Sequence, residues 1–91
     1  METFADMETF VELGGVVHIR HDGETDIPII ELTWGYYDAR HHQQPHENIS
    51  AAILTAITQI KQQMVLYSKD PEVQLTPKGP KYAALLEWAK K

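Results

Sequence analysis

The chain has no cysteine, and it has only 5 glycines and 5 prolines among its 91 residues. The lack of cysteine excludes a disulfide framework, a thiolate metal site and a thiol nucleophile, so apolar side chains must hold the fold together. No run approaches the roughly 18 consecutive apolar residues of a membrane-spanning helix. The first residues also include acids where a signal peptide would carry Lys or Arg. We therefore expect a cytoplasmic protein that does not enter a membrane.

Positive charge is scarce as well. The 13 Asp and Glu outnumber the 8 Lys and Arg, which gives a formal net charge of -5 at pH 7 with histidine neutral. This excess of negative charge opposes non-specific binding to phosphate backbones and to anionic membranes, so nucleic acid is not the expected partner. The length favours one domain over residues 1–91 with one modest core.

Enzyme signatures are also missing from the sequence. The only serines are Ser50 and Ser68, and neither lies in a Gly-x-Ser-x-Gly nucleophile elbow. The glycines form neither of the common phosphate-binding patterns, Gly-x-x-x-x-Gly-Lys and Gly-x-Gly-x-x-Gly. We predict a protein that is not an enzyme and that holds no cofactor.

The segment from Pro45 to Tyr67 carries one apolar stripe with spacings of four and three. The members of the stripe are Ile49, Ile53, Ile57, Ile60, Met64 and Tyr67. This spacing predicts one long amphipathic helix over about 45–67, with Pro45 and Glu47 in its first turn. Because the remaining side chains of this helix are almost uncharged, we expect it to be covered by the chain's own sheet or by a second copy.

Alternation with period two predicts a β-hairpin whose strands span about 16–21 and 27–37. The turn contains Asp22-Gly23, a dipeptide that commonly supplies the positive φ angles of a tight turn. Pro28 cannot donate a ladder hydrogen bond, so we place it near the start of the second strand or at an open edge. The two strands form the small antiparallel sheet of the predicted fold.

The same alternation assigns the aromatic side chains of the second strand to its two faces. Trp34 and Tyr36 share a face with Ile30 and Leu32 and are predicted to be core residues, whereas Tyr37 is predicted to point outward. An alternative is that these aromatic rings, together with the histidines that follow, form a stacking surface for a planar ligand.

The N-terminus contains a near-repeat, Met1-Glu2-Thr3-Phe4 and Met7-Glu8-Thr9-Phe10. Its period of six fits neither a helix nor a strand, so we expect residues 1–8 to be either disordered or a misassigned start. Residues 9–13 are a candidate for an extra strand. Gly14-Gly15 would then form a hairpin turn, with the capping of a short helix as the alternative.

The regions on either side of the long helix are less regular. Residues 38–44 are predicted to be a polar connection, and Val73 and Leu75 to form a short extended piece. Thr76 and Pro77 have the pattern of an N-cap and a first helical residue, which predicts a C-terminal helix over about 77–90. A start at Pro80 is the alternative. Its predicted buried face consists of Tyr82, Leu85, Leu86 and Ala89. The predicted fold class is α+β, with the sheet packed on the long helix.

The histidines are the first candidates for metal chemistry. His41, His42 and His46 lie close together, and Asp38 precedes His42 by four residues. Zinc or nickel would accept imidazole and carboxylate ligands, so Asp38, His42 and His46 are the candidate metal ligands. The alternative, which we favour, is an exposed polar connection, because no established ligand spacing such as His-Glu-x-x-His is present.

These features favour a small acidic, non-enzymatic regulator or inhibitor that docks on a protein partner. A charge-poor helix also offers a route to homodimers. The candidate partner-binding residues are Tyr37, Arg40, His41, His42, Leu54, Val65 and Leu66. A small metal- or ligand-binding enzyme that uses His41, His42 and His46 is one alternative.

A second alternative comes from a local resemblance. The stretch Val73-Gln74-Leu75-Thr76-Pro77-Lys78-Gly79, followed by Tyr82, Leu85 and Leu86, resembles the end of the wing and the start of the next helix in winged-helix regulators. The resemblance implies a strand-to-helix junction and a DNA-binding transcriptional regulator. Upstream of this stretch the chain has a predicted hairpin and one long helix where that family has a helix-turn-helix.

Overall fold

The computed structural model describes residues 2–75 and 78–91, and it confirms the predicted α+β class with an antiparallel sheet packed on a long helix. In chain order the elements are α1 (Glu2–Glu12), β1 (Val16–His21), β2 (Pro28–Trp34), β3 (Tyr37–His42), α2 (Ile49–Ser68), α3 (Pro71–Leu75) and α4 (Pro80–Ala89). The core lies between one face of the sheet and α2, with α1 and α4 closing its sides.

The sheet has the strand order β1-β2-β3, and both strand pairs are antiparallel. The predicted hairpin is present, and Pro28 begins β2 as expected. The predicted second strand is too long, however, because Gly35 adopts a φ of 58° and turns the chain after Trp34. Most of the predicted polar connection then forms β3. The positive φ in the first turn lies at Asp26 (φ 60°) instead of Asp22-Gly23.

The turn after β2 reverses the predicted roles of two tyrosines. Tyr36 lies in the turn and is fully exposed, so its assignment to the core is wrong. Tyr37 begins β3 opposite Trp34 and packs against the core, so its outward assignment is also wrong. The turn shifts the alternation by one position, because it separates two strands that the sequence pattern joined into one.

The long helix α2 begins later than predicted. Asn48 is its N-cap, and the side-chain Oδ1 of Asn48 accepts a hydrogen bond from the Ala51 N–H at 2.8 Å. An Asn cap satisfies a first-turn amide directly, so Pro45 and Glu47 precede the helix. The middle of the predicted stripe is buried, whereas Ile49 and Tyr67 at its ends remain 40% and 46% exposed. The fully covered members are Ile53, Ile57, Ile60 and Met64.

The N-terminal region is helical. Residues 9–12, predicted as the main part of an extra strand, belong to α1, which also includes residues 2–8. Gly14 adopts a φ of 98° and ends the helix, so the helix-capping alternative replaces the hairpin turn. Phe10 is fully buried and stacks on Trp88 with 5.6 Å between ring centroids, and this contact attaches α1 to α4.

The C-terminal part contains two helices. Val73 and Leu75 lie in α3, so the predicted extended piece is wrong, and the strand implied by the winged-helix resemblance is not formed there. Thr76 and Pro77 lie outside the described residues. The last helix begins at Pro80, the alternative start, after the N-cap Gly79. Its buried residues are Leu85, Trp88 and Ala89, while Tyr82 and Leu86 are half-buried.

Candidate protein-binding surfaces

His41 connects β3 to the segment before α2. Its Nε2 lies 2.7 Å from Glu47 Oε1, and the two side chains are only 14% and 11% exposed. Glu47 Oε1 also accepts a hydrogen bond from the Gln44 N–H at 2.8 Å, and its Oε2 accepts one from the Thr55 hydroxyl at 3.2 Å. The Gln44 N–H first, and His41 second, lower the pKa of the Glu47 carboxyl. The exposed-connection interpretation is therefore wrong for His41.

The structure does not bring the candidate metal ligands together. Asp38 and His42 lie at opposite ends of the same strand, where four residues at about 3.3 Å each separate them by roughly 13 Å. His46 lies in the segment between β3 and α2. Among residues 2–75 and 78–91, no three His, Asp or Glu side chains are placed to hold one metal ion.

Arg40 and His42 point to the face of the sheet that is opposite α2, where charged side chains cross all three strands. Arg20 Nε donates to Glu31 Oε1 at 2.5 Å, and an Arg40 nitrogen lies 3.8 Å from Glu31 Oε2. The Arg20 hydrogen bond is the largest cause of the lowered pKa of Glu31. Glu31 thus compensates much of the positive charge of this face, although Arg40 and His42 remain exposed.

Tyr37 belongs to an aromatic cluster beside the core. Its ring centroid lies 6.3 Å from that of Trp34 and 6.0 Å from that of Tyr67. Burial, followed by a hydrogen bond with Tyr82, raises the pKa of Tyr37 to about 12. The Trp34 indole N–H donates to the Leu13 carbonyl at 2.8 Å. Trp34 and Tyr37 therefore pack against other rings and the core, whereas Tyr36, the third aromatic ring of the suggested stacking surface, is exposed in the turn.

The three apolar candidates on α2 have different surroundings. Leu54 is 45% exposed and Leu66 is 67% exposed, whereas Val65 is half-buried against the core. Val65 and Leu66 line an open groove of about 560 Å³ between α2 and the end of α4, together with Ala89. Leu54 does not line this groove.

Four lysines surround the apolar floor of this groove, which we call the lysine groove: Lys61, Lys69, Lys90 and Lys91. Lys61 is held in place, with its Nζ 3.4 Å from Asp6 Oδ2 and 4.7 Å from the centroid of the Trp88 ring. Lys90 lies 3.7 Å from Glu87. Within the described part of the chain, Lys69 and Lys91 have no acidic partner. The groove is therefore positively charged on a chain whose net charge is -5.

These lysines were not predicted, although part of the signal is visible in the sequence. Lys61 and Val65 lie on α2, and Lys69 is the C-cap that directly follows it. The spacing of four between successive members places both charges and the apolar side chain on one side of the helix. The contribution of Lys90 and Lys91 depends on where α4 packs. That packing is a tertiary feature without a local pattern.

In the described ranges, no helix combines the length and the apolar composition that crossing a membrane requires. Comparison of the chain with protein-family models, with curated proteins and with solved structures finds no match in any of the three sets.

Proposed function

We propose that this protein is a small non-enzymatic binding protein, a regulator or inhibitor that acts in the cytoplasm by docking on a protein partner. The surface proposed for docking is the lysine groove. The observation that carries the proposal is that the groove combines an exposed apolar side chain, Leu66, with a rim of lysines on an otherwise acidic chain.

The groove has the chemistry to bind an acidic amphipathic helix of the partner. Such a helix would place its apolar side chains on Val65 and Leu66, as in other helix-in-groove complexes, and its carboxylates beside Lys69 and Lys91. Burial of Leu66, which is 67% exposed, would supply affinity. The lysines would chiefly accelerate association and select the partner by charge.

The two alternatives have less support. The winged-helix resemblance depends on a strand at residues 73–75, and those residues lie in α3. A metal enzyme that uses the histidines would need Asp38, His42 and His46 to converge, and the strand β3 holds the first two far apart. No structural observation supports either alternative in the way that the lysine groove supports docking on a protein partner.

The proposal is tested by affinity capture from the native host with the purified chain and three variants. Leu66→Asp places a charge on the floor of the groove, and Leu54→Asp makes the same change at an exposed leucine of α2 outside the groove. Lys69→Glu reverses one charge of the rim. We expect one protein to be captured by the wild type and by Leu54→Asp, and its recovery to fall at least tenfold with Leu66→Asp.

With Lys69→Glu, recovery of the same protein should fall and should become less sensitive to added salt. The captured protein should contain an acidic amphipathic helix, and a synthetic peptide of that helix should shift the NMR signals of Val65 and Leu66. Capture that is unchanged by Leu66→Asp, or a peptide that shifts signals elsewhere, would contradict the proposal. The absence of any captured protein would count against it as well.

A further inference from the structure

The two edge strands of the sheet, β1 and β3, differ in whether their outward backbone N–H and C=O groups have hydrogen-bond partners. On β3, the Asp38 N–H donates to Gln63 Oε1 at 2.9 Å, and the His42 carbonyl accepts from Gln44 Nε2 at 3.1 Å. Side chains from α2 and from the following segment therefore occupy both ends of this edge, and the outward groups of Arg40 in its centre have no such hydrogen bond among the described residues. Partners at both ends of an edge hinder its pairing with another chain.

The outward groups of β1 follow from its pairing with β2. The Asp22 N–H donates to the Ile27 carbonyl at 2.9 Å and so continues the β1–β2 register. Because backbone direction alternates along a strand, the N–H and C=O groups of Val17, Ile19 and His21 point away from β2. Within residues 2–75 and 78–91, no hydrogen bond to these outward groups is formed.

β1 also lacks several features that usually protect an edge, although it does carry the charged Arg20. Its sequence contains neither proline nor lysine, and its six residues pair with β2 in an unbroken register without a bulge. Ile19 is 44% exposed beside this edge. Next to it lies an open, mainly apolar groove between α1 and β1, which is lined by Phe4, Met7, Val11, Val17 and Ile19 together with the acidic Glu8 and Glu12.

We propose that β1 pairs with β1 of a second copy, antiparallel and about a two-fold axis at His18, so that the two sheets join into one sheet of six strands. The outward groups of Val17 would exchange two hydrogen bonds with those of Ile19 of the second copy, and the symmetric pair would do the same. This surface is separate from the lysine groove.

The side chains favour a second copy in this register. About His18, the apolar Val17 lies opposite the apolar Ile19 of the second copy, and both belong to the face that carries α1. An axis at Ile19 would instead place His18 opposite Arg20 and Val17 opposite His21. An axis between two residues would place opposite faces against each other.

The position of α1 supports the same assembly. A two-fold axis perpendicular to the sheet keeps both copies of α1 on one face of the joined sheet. Phe4 and Val11, which are 44% and 50% exposed in the single chain, would then lie on both sides of the axis above Val17 and Ile19. Strand pairing and burial of this apolar groove would occur together.

The first test measures the mass of the purified full chain by light scattering over a series of concentrations. We expect a dimer, and we expect Ile19→Pro to weaken dimerisation at least tenfold, because it removes an outward N–H that β2 does not use. Ile19→Lys should have the same effect without any backbone constraint. Ile49→Lys, at an isoleucine with similar exposure (40%) on α2, should remain dimeric.

The second test examines the register in this cysteine-free chain. His18→Cys places the two thiols at a directly opposite, non-hydrogen-bonded position, where a disulfide fits, so oxidation should give a covalent dimer. Val16→Cys, on the same face, would lie about 13 Å from its counterpart and should not. A monomer at all concentrations, a dimer that Ile19→Lys leaves intact, or equal cross-linking of both cysteine variants would overturn the proposal.

Discussion

The indole N–H of Trp88 donates a hydrogen bond to Asp6 Oδ1 across 3.2 Å, which attaches the last helix to the first. The other carboxylate oxygen of Asp6 lies 3.4 Å from Lys61 Nζ, and that ammonium group lies over the Trp88 ring. One carboxylate thus connects α1, α2 and α4. It also holds Lys61 at the wall of the lysine groove.

We predict that Asp6→Ala lowers the free energy of unfolding by about 1 to 3 kcal/mol, since it leaves the half-buried Lys61 ammonium and the Trp88 N–H without their acceptor. Asp6→Asn should cost less, because the amide oxygen still accepts from Trp88. Urea denaturation measures both values. Glu8→Ala, an exposed position on the same helix, is the control, and an equal loss there would contradict the prediction.

Ile57 is 1% exposed and lies in the centre of the core cluster. We predict that Ile57→Asp lowers the free energy of unfolding by several kcal/mol, because it places an unpaired carboxylate among apolar side chains. Leu54→Asp, three residues earlier on the same helix at a 45% exposed site, should change stability by less than about 0.5 kcal/mol. Chemical denaturation midpoints that differ little between the two variants would contradict the prediction.

The apolar stripe with spacings of four and three predicts both α2 and its buried side chains. Burial of one face of a long helix imposes a period that is visible in the sequence. The exact start was missed because Asn48 and Pro45 are both acceptable first-turn signals, and only the structure shows which one caps the helix. Glu47 precedes this cap, and its carboxylate accepts from the Gln44 N–H and lies 2.7 Å from His41 Nε2.

β3 was missed for a different reason. Its core-facing residues include His41, a polar side chain that is only 14% exposed and lies 2.7 Å from the carboxylate of Glu47, six residues later in the chain. Period-two apolar alternation therefore disappears from the sequence, although the strand itself is regular. The lysine groove was missed because two helices form it, and no local pattern records which helices meet.

Gly15 lies against the ring of Phe10, and a Cβ at this position would overlap that ring. Because Phe10 is fully buried, it cannot move away without disturbing the core, so we predict that Gly15→Ala costs about 1 to 3 kcal/mol of stability. At Gly23, an added Cβ would have no other atom within 4 Å, and Gly23→Ala should have little effect. Thermal unfolding of the two variants provides the comparison, and similar melting temperatures would show that the Phe10 contact is unimportant.

Acid should affect solubility before it affects the fold. The formal net charge of -5 at pH 7 falls toward zero as the pH approaches the isoelectric point of about 5.4 that the sequence gives, so repulsion between molecules would weaken. We predict lower solubility at pH 5.5 than at pH 7, with an unchanged circular dichroism spectrum. Measurement of the soluble concentration and of the spectrum at both pH values checks this, and a cooperative loss of structure above pH 5.5 would contradict it.

Below this range the fold itself should weaken. The pKa of Glu47 is lower in the folded chain than its ordinary value of 4.5, so its ionised form stabilises the fold above about that pH, and the contribution is lost as the pH falls through the lowered value. Glu31 has the same direction of pKa shift, with Arg20 as the main cause. Melting temperatures should therefore decline below pH 4.5, and Glu47→Gln should show a smaller decline than the wild type, starting from a lower stability at pH 7. Glu24→Gln, in the exposed first turn, should follow the wild-type profile, because none of the described hydrogen bonds involves its carboxylate.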